Sequence, residues 1–388
     1  MAMDSFTPKA RALVIVTALL LALPTLLIPW VDDAERARWE KRDLAEFPDA
    51  KRLIDGDYFG EIEGFLDDHL YGAFELNKLY RRIQLQIFGD SPLPNVAIGD
   101  DGFVFLTSHD AEHPKLAVRR LCLPQREQIE RLHRGLEDLA GRLRSDNIRL
   151  IVTVMPSKMA LYPDKLPDQI GGKFLNLCRE TAIQNDWAPA QLAELADGYE
   201  VFYPLSQLGA LRDTPHFYPP ANFHANSRAN HEFAKEYFRA VGIAETVGDV
   251  KVRISTINAD LKMLGITRKT EVWQYEYVQG IRRFRRVPAW VRESYPSVRG
   301  FSRFETSQPL REGRALILSN SFGAYLAPHL APGYRELAQT DFKNLFGDQR
   351  DVFLQRAIKE ARPDDLLLVV HDAGLLNAPL ARFLGFQH

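Results

Sequence analysis

The sequence predicts an α/β fold, with a parallel sheet sandwiched by helices and an apolar helix ahead of it at the N-terminus. Short buried strands alternate with amphipathic helices along most of the 388 residues. This alternation is typical of a parallel sheet covered on both faces. Residues 12–31 carry no charge and stand apart from the alternation. The chain has 49 basic and 51 acidic residues, so its overall charge gives no indication of nucleic-acid binding.

The apolar run at residues 12–31 is long enough to cross the ~30 Å hydrocarbon core of a membrane as a helix. Lys9 and Arg11 precede it, and Asp32 and Asp33 follow it. Because basic flanks stay in the cytoplasm, we expect the rest of the chain to be exported. The sequence therefore predicts an inner-membrane anchor over residues 1–32, with the bulk of the chain in the periplasm. A cleaved signal peptide is the alternative, although no Ala-x-Ala site closes the run.

Two regions follow the anchor. Residues 33–90 predict a juxtamembrane helical segment, because residues 58–69 and 75–88 have apolar positions at helical spacing. Residues 91–388 predict one α/β domain. Its expected strands are a pair at 96–106 and single strands at 148–154, 201–203, 272–277, 316–318 and 366–370. Its expected helices are at 124–145, 191–198, 227–241, 349–361 and from about 324 to 330.

A nucleophile is expected where the strand at 316–318 ends. The apolar run stops at Ser319, Asn320 and Ser321, and Gly323 follows. Open α/β sheets bind ligands at the carboxyl ends of their strands, and a helix N-terminus stabilises negative charge. Ser321 is therefore the candidate nucleophile and Ser319 the next candidate. Small polar residues at this point are also ordinary helix N-caps.

A base is expected at His224. A serine hydroxyl becomes a good nucleophile when a base takes its proton, and histidine is the usual base near neutral pH. Asn222 lies two residues upstream and could accept from the second ring nitrogen, which fixes the tautomer of the imidazole. His216, with Asp213 three residues before it, is the competing base, and we rank it below His224.

The ordered set of motifs resembles the alginate O-acetyltransferase family, a permuted branch of the SGNH (GDSL-like) hydrolases. Ser319-Asn320-Ser321-Phe322 stands where the family carries Gly-Asp-Ser-Phe, and Asn222-Phe223-His224 where it carries Asp-x-His. Four further segments match in family order, from about residue 41 to the C-terminus. They are residues 88–95, 95–105, 155–167 and 259–265. The third of these segments contains Pro156-Ser157-Lys158.

The resemblance implies the SGNH hydrolase-like fold and a function. It implies a periplasmic polysaccharide O-acetyltransferase in which Ser321, His224 and Asn222 form a triad and Ser321 carries a covalent acyl group. The substrate would be an exopolysaccharide, an integral-membrane acyltransferase would supply the acyl group, and no cofactor is implied. A carbohydrate esterase on the same fold and a non-catalytic polysaccharide-binding or assembly subunit are the alternatives.

The triad departs from the family at its acid. Asn222 replaces an aspartate, and in serine proteases that change lowers turnover about 10⁴-fold because it favours the wrong tautomer. Asparagine nevertheless serves in Cys-His-Asn proteases. Asn222 therefore indicates either a weaker orienting group or a decayed enzyme.

Four residues are candidates for substrate contact. Lys158 and Asn320 lie in the family motifs, and Tyr275 and Arg283 lie in a stretch rich in aromatic and basic residues. Sugars stack on aromatic rings, and arginine binds carboxylates through two hydrogen bonds. This combination suits an anionic polysaccharide. A β-hairpin with a solvated basic face is the plainer interpretation of the stretch that contains Tyr275 and Arg283.

The remaining chemical candidates are weak. Cys122 and Cys178 could form one disulfide in an oxidising compartment or remain as two buried thiols, and the sequence leaves both possibilities open. His109 and His113 flank a short acidic loop with acceptable metal-ligand types but no further partners nearby. We therefore expect no metal site.

Overall fold

The computed structural model describes twelve ranges of the chain and, within residues 16–28, five isolated residues. The ranges are 33–40, 43–49, 58–89, 91–93, 95–107, 120–167, 187–225, 228–243, 250–258, 269–285, 287–295 and 301–386, with Val298 between the last two. The chain divides into two compact units. The first comprises residues 1–92 and 261–267, and the second comprises residues 93–260 and 268–388.

The described part of the first unit consists of three helices: α1 (Asp33–Glu40), α2 (Tyr58–His69) and α3 (Ala73–Ile87). The helices predicted at residues 58–69 and 75–88 are therefore confirmed. His69 joins α2 to the preceding chain, because Nδ1 lies 2.9 Å from Asp33 Oδ1 and Nε2 lies 2.8 Å from the carbonyl oxygen of Ala45.

Among the described residues, no helix is long and apolar enough to span a bilayer. The anchor predicted over residues 1–32 lies almost entirely outside those residues. It stays a prediction.

The second unit is built on a seven-stranded sheet with strand order β4-β3-β11-β9-β10-β8-β7. Strands β4, β3, β11, β9 and β10 are parallel, and β8 and β7 pair antiparallel at one edge. Two further strand pairs, β1-β2 and β5-β6, stand apart from this sheet. The strands are β1 (Val96–Ile98), β2 (Val104–Leu106), β3 (Arg149–Met155), β4 (Glu200–Phe202), β5 (Val250–Asn258), β6 (Lys269–Tyr277), β7 (Ile281–Phe284), β8 (Ser302–Thr306), β9 (Arg314–Ser319), β10 (Glu336–Asp341) and β11 (Asp365–His371).

Helices cover both faces of the sheet, and each face has its own apolar core. The long helix α4 can cover the sheet because its apolar residues lie on one face. They recur at the three- and four-residue spacing of a helix face, and the buried ones include Ile129, Leu132, Leu136, Leu139 and Leu143. The helices of this unit are α4 (Arg126–Arg144), α5 (Lys158–Leu161), α6 (Ala188–Leu195), α7 (Leu205–Gly209), α8 (Arg228–Ala240), α9 (Ala289–Ser294), α10 (Ser321–Leu330), α11 (Gly347–Ala361) and α12 (Ala378–Leu384).

The α/β layering agrees with the prediction, but the sheet is mixed rather than parallel throughout. The antiparallel edge strands β7 and β8 come from residues 246–312, where the sequence pattern is weak apart from the alternation over 272–277. Strand β10 was not predicted, because its six residues contain only two apolar side chains and bury Gln339 and Thr340. An apolar run is the signal of a buried strand, and β10 does not have one.

The structure shows the state of one of the two cysteines. Cys122 is 2% exposed and takes part in a disulfide. Cys178, the second of the two cysteines in the sequence, lies outside the described residues.

Candidate active site

Ser321 stands at the junction of a central strand and a helix. Strand β9 ends at Ser319, and α10 begins at Ser321. Asn320 caps the helix, because its Oδ1 accepts a hydrogen bond from the N–H of Phe322 at 3.0 Å. Ser321 itself is exposed, so a substrate can reach its hydroxyl from solvent.

Ser319, the second candidate nucleophile, is fully buried. Its Oγ accepts a hydrogen bond from Gln339 Nε2 at 3.2 Å. Helix α10 crosses directly above it, and a Cβ on Gly323 would overlap both the Cβ and the Oγ of Ser319. Glycine at this position lets the helix approach the strand closely, and the position of Ser319 favours Ser321 as the nucleophile.

The structure brings His224 to Ser321. The imidazole Nε2 of His224 lies 2.9 Å from Ser321 Oγ, within the reach that a general base needs. The ring of His224 packs against Phe322 and Tyr325, with centroid distances of 5.0 and 4.7 Å. Both aromatic residues belong to α10, so the helix that presents the hydroxyl also fixes the imidazole.

The loop that carries His224 is tied down through its backbone carbonyls. Lys158, on α5, is 3% exposed, and its Nζ donates to the carbonyls of Pro219 at 2.9 Å, Pro220 at 2.7 Å and Asn222. These contacts favour a positioning role for Lys158 over the predicted contact with substrate.

Residues on either side of His224 are held in the same way. The hydroxyl of Tyr218 donates to the carbonyl of Phe223 at 2.7 Å. The amide Nδ2 of Asn230, on α8, donates to the carbonyl of Ala225 at 2.7 Å. These two hydrogen bonds and those of Lys158 fix the backbone on both sides of His224.

Asn222 lies in this anchored loop and is 2% exposed. Its backbone N–H donates to the carbonyl of Pro219 at 3.1 Å. Its side chain therefore belongs to a fixed segment two residues before the histidine. The role predicted for that side chain, as acceptor for the second nitrogen of His224, stays a prediction.

Asn320 has a partner that the sequence did not suggest. Its Nδ2 donates to Nδ1 of His371 at 3.0 Å, and the ring of His371 stacks on Phe322 with a centroid distance of 4.6 Å. Both functions of the Asn320 amide are thus used inside the protein. This geometry favours a structural role at the nucleophile over the predicted contact with substrate.

Asp372 follows His371 and is also buried in this region. It accepts hydrogen bonds from the N–H of Ser157 at 2.9 Å and from the hydroxyl of Tyr203 at 2.8 Å. Burial raises the pKa of Asp372, against the lowering effect of these hydrogen bonds. Sequence reasoning missed His371 and Asp372, although polar residues at the carboxyl end of a central strand were the available signal.

Of the remaining candidates, Tyr275 lies beside α10. It stacks on His231 with a centroid distance of 4.3 Å and lies edge-on to His329 at 5.8 Å. His329 is on the same helix as Ser321, about two turns further along.

Arg283 lies on the edge strand β7, which β10 and β8 separate from β9. It donates to Ser302 Oγ at 3.1 Å and packs over Phe304. It is therefore not brought to the serine. His216, the competing base, packs against Trp273 with a distance of 5.9 Å between the ring centroids. Asp213, three residues before it, places its Oδ2 3.5 Å from Nε of Arg212.

Two buried histidines share one tyrosine near this part of α10. The hydroxyl of Tyr277 lies 3.1 Å from His231 Nδ1 and 2.6 Å from His329 Nδ1. Burial lowers the pKa of His231 to about 4 and that of His329 to about 3. Both imidazoles are therefore neutral near pH 7, and each directs its Nδ1 at the hydroxyl of Tyr277.

The described residues contain no group of three or more metal-ligating side chains. The two histidines considered as weak metal ligands, His109 and His113, lie outside them.

No family model matches the chain, and no curated protein matches it. Solved structures do. Bacillus cereus PatB1 with a sulfonyl adduct is 15% identical, covers 66% of this chain and 93% of its own, and has a TM-score of 0.48. The O-acetyltransferase domain of Pseudomonas putida AlgJ is 12% identical, covers 73% and 92%, and has a TM-score of 0.41. Pseudomonas aeruginosa AlgX is 11% identical, covers 75% and 66%, and has a TM-score of 0.45. AlgJ and AlgX, which represent the family that the motifs resemble, are thus among the structural matches.

Proposed function

We propose that the protein is a serine O-acyltransferase that acetylates an exported polysaccharide through a covalent acyl-enzyme. The observation that carries this proposal is the 2.9 Å separation of His224 Nε2 from Ser321 Oγ, at the start of a helix that follows a central strand. An exposed serine with an aligned imidazole is the arrangement of a nucleophile and its base.

The reaction has two halves. In the first, Ser321 Oγ attacks the carbonyl carbon of the acyl donor, His224 Nε2 takes the hydroxyl proton, and the donor's leaving group departs with that proton. In the second, a sugar hydroxyl gives its proton to His224 and attacks the acyl carbon. The new ester forms on the sugar, and Ser321 recovers its proton from His224.

The N-terminus of α10 would stabilise the oxyanion that forms in each half. The first N–H groups of a helix have no acceptor within the helix, and its dipole favours negative charge at this end. Because Asn320 Oδ1 already accepts from the N–H of Phe322, the N–H of Ser321 is the group that we assign to the oxyanion.

Asn222 would accept from Nδ1 of His224, so that Nε2 stays free to take the proton. An integral-membrane acyltransferase would pass the acyl group across the inner membrane to Ser321. The apolar run at residues 12–31 predicts that this chain is anchored in that membrane and faces the periplasm. The family resemblance implies the acyltransferase as a partner.

The experiment that tests this function is acylation by an activated acetyl ester, followed by intact-protein mass spectrometry. The wild-type chain should gain the mass of one acetyl group, and the modified peptide should contain Ser321. Ser321→Ala should abolish the gain while the variant stays folded, and His224→Ala should slow it by at least 100-fold. Ser319→Ala is the matched control and should acylate as the wild type does.

Hydrolysis is the second candidate function, because Ser321 is exposed and water can reach an acyl-enzyme there. The partition is measured by adding oligosaccharide acceptors to the acyl-enzyme and comparing sugar ester with free acetate. Mostly acetate at every acceptor concentration would favour a carbohydrate esterase. If the wild type forms no acyl-enzyme at all, a non-catalytic polysaccharide-binding subunit is the better interpretation.

A further inference from the structure

Helix α3, in the first unit, exposes an apolar stripe. No residue of this 15-residue helix is buried. Because successive residues of a helix are about 100° apart around its axis, five exposed apolar side chains fall together on one side of α3, within an arc of about 100°. They are between 37% and 70% exposed, and they are Leu76, Leu79, Tyr80, Ile83 and Ile87.

The other side of α3 is half-buried and more polar. Its residues are Ala73, Phe74, Asn77, Lys78, Arg81, Gln84 and Leu85. Lys78 fixes this orientation, because its Nζ lies 3.4 Å from Glu35 Oε1 on α1 and 3.7 Å from the centre of the Phe74 ring. A surface helix normally turns its apolar side inward. The reversed arrangement in α3 indicates that the stripe meets an apolar partner.

The contacts of α1 hold the stripe close to the end of the apolar run at residues 12–31. Arg36 Nη1 donates to the carbonyl of Asp67, near the end of α2, at 2.8 Å, and Glu35 pairs with Lys78 of α3. Glu35 follows the last residue of the run by four residues, and four residues span at most about 14 Å. The middle of α3 therefore lies within reach of the point where the predicted anchor leaves the bilayer.

A lipid surface fits the stripe better than a second copy of the chain does. A coiled-coil seam needs at least three to four heptads, and the 15 residues of α3 provide about two. A bilayer needs less contact, because an anchor in the same chain would make the contact of α3 with lipid intramolecular and raise its effective concentration. Tyr80 in the stripe and the exposed Tyr71 before the helix are of a type enriched at membrane interfaces.

We propose that α3 lies along the periplasmic surface of the membrane, with its apolar stripe inserted between the lipid headgroups and the upper part of the acyl chains. Interfacial amphipathic helices bury their apolar side in this way. The inference rests on the anchor predicted over residues 1–32, which is part of the proposed function, and does not depend on acyl transfer by Ser321.

The test uses the full chain, reconstituted into vesicles of phosphatidylethanolamine and phosphatidylglycerol. The photo-crosslinker p-benzoylphenylalanine, which reacts with nearby C–H bonds, replaces Ile83 in one variant and Arg82 in the other. Both positions are exposed, but position 82 lies about 100° around the helix from position 83 and outside the stripe. After irradiation, mass spectrometry should find at least fivefold more lipid adduct at position 83 than at position 82.

Equal lipid adduct at the two positions would overturn the proposal. A crosslinked dimer at position 83 in place of the lipid adduct would also overturn it and assign the stripe to a second copy. Extraction of the vesicles with alkaline carbonate tests the anchor separately. A chain that resists extraction but forms no lipid adduct at position 83 keeps the anchor and overturns the role of α3. A chain that is extracted and still forms the adduct supports the role of α3 and contradicts the anchor.

Discussion

The ammonium group of Lys158 donates a hydrogen bond to the backbone carbonyl of Asn222, two residues before the histidine that faces Ser321. This contact joins the short helix after β3 to the loop that carries His224. Lys158 also holds the carbonyls of Pro219 and Pro220. One buried side chain therefore fixes the path of the loop that carries His224.

Lys158→Met should therefore damage both stability and activity. The side chain keeps a similar length but loses its donors, which leaves buried carbonyls unsatisfied at a cost of about 3 kcal/mol in the free energy of unfolding. A looser His224 should slow acylation by about 100-fold. Urea unfolding and the rate of acyl-enzyme formation check both effects.

Lys165→Met is the matched control for that experiment. Lys165 pairs with Asp101 at 2.5 Å near the surface, where ion pairs contribute little. We expect wild-type acylation and nearly wild-type stability. An equal loss in the two lysine variants would contradict the positioning role of Lys158.

Asn222→Asp should raise the rate of acylation or leave it unchanged. A carboxylate can only accept from Nδ1 of His224, so it enforces the productive tautomer and stabilises the imidazolium. An amide can present its NH₂ group instead. The new charge would lie close to the ammonium group of Lys158, which limits the cost of burial. Initial rates with an activated acetyl ester are the measurement.

Asn230→Asp controls for the mere presence of a buried carboxylate near this loop. Asn230 is 1% exposed and needs its NH₂ group to bind the carbonyl of Ala225, so this variant should lose stability and gain no activity. A large loss of rate in Asn222→Asp would show that the Asn222 amide donates a hydrogen bond that the site needs.

Gly323→Ala should destabilise the protein by about 1–3 kcal/mol, because the added methyl group would overlap Ser319 beneath α10. Ser319→Gly in the same chain should restore part of the loss by removing the overlapping atoms. Gly141→Ala is the control, since nothing beyond the neighbouring backbone of its own helix lies within 4 Å of its Cβ position and alanine favours a helix. It should gain about 0.5–1 kcal/mol. Urea denaturation of the three variants decides the matter.

Acid should destabilise the fold through His231 and His329. Their pKa values in the folded state are about 4 and about 3, below the ordinary value of 6.5, so the unfolded chain binds protons more tightly. The stability contributed by each neutral imidazole is present above pH 6.5 and is lost as pH falls towards those values. From pH 7 to 5 the loss is about 2 kcal/mol for each histidine.

The measurement for these histidines is the free energy of unfolding in urea at pH 7 and pH 5. His329→Gln removes one titrating group, so its stability should fall less than that of the wild type over this interval. Equal falls in the two proteins would show that His329 does not carry this part of the pH dependence.

Strand β9 and the turn that follows it could be predicted because they have a local signal. The apolar run that stops at Ser319 predicts a buried strand, and the polar residues there predict a turn into a helix. His224 needed a second argument, that a nucleophilic serine requires a base. In the structure His224 faces Ser321 and His216 packs against Trp273, while the ranking of His224 over His216 as the base stays a prediction.

The carbonyl contacts of Lys158 and the existence of β10 could not be predicted, because their environment is not local. The sequence shows a lysine in a motif, which suggested substrate, but its partners are carbonyls of a loop that folds back onto α5. Strand β10 has no apolar run because one of its buried residues is Gln339. The burial of this glutamine is possible because its Nε2 donates a hydrogen bond to Ser319 Oγ. A polar residue in a core is understood only when its partner is known.

The order of strands in the sheet differs from their order in the chain, and this difference bears on the order in which the sheet can assemble. Strand β11 lies between β3 and β9 and pairs with both, although it follows both of them, and His224 and Ser321, in the chain. During synthesis, β3 and β9 emerge before the strand that joins them exists. We therefore expect His224 and Ser321 to reach their 2.9 Å separation only after β11 has been inserted, and a chain that stops before β11 to contain both residues without that contact.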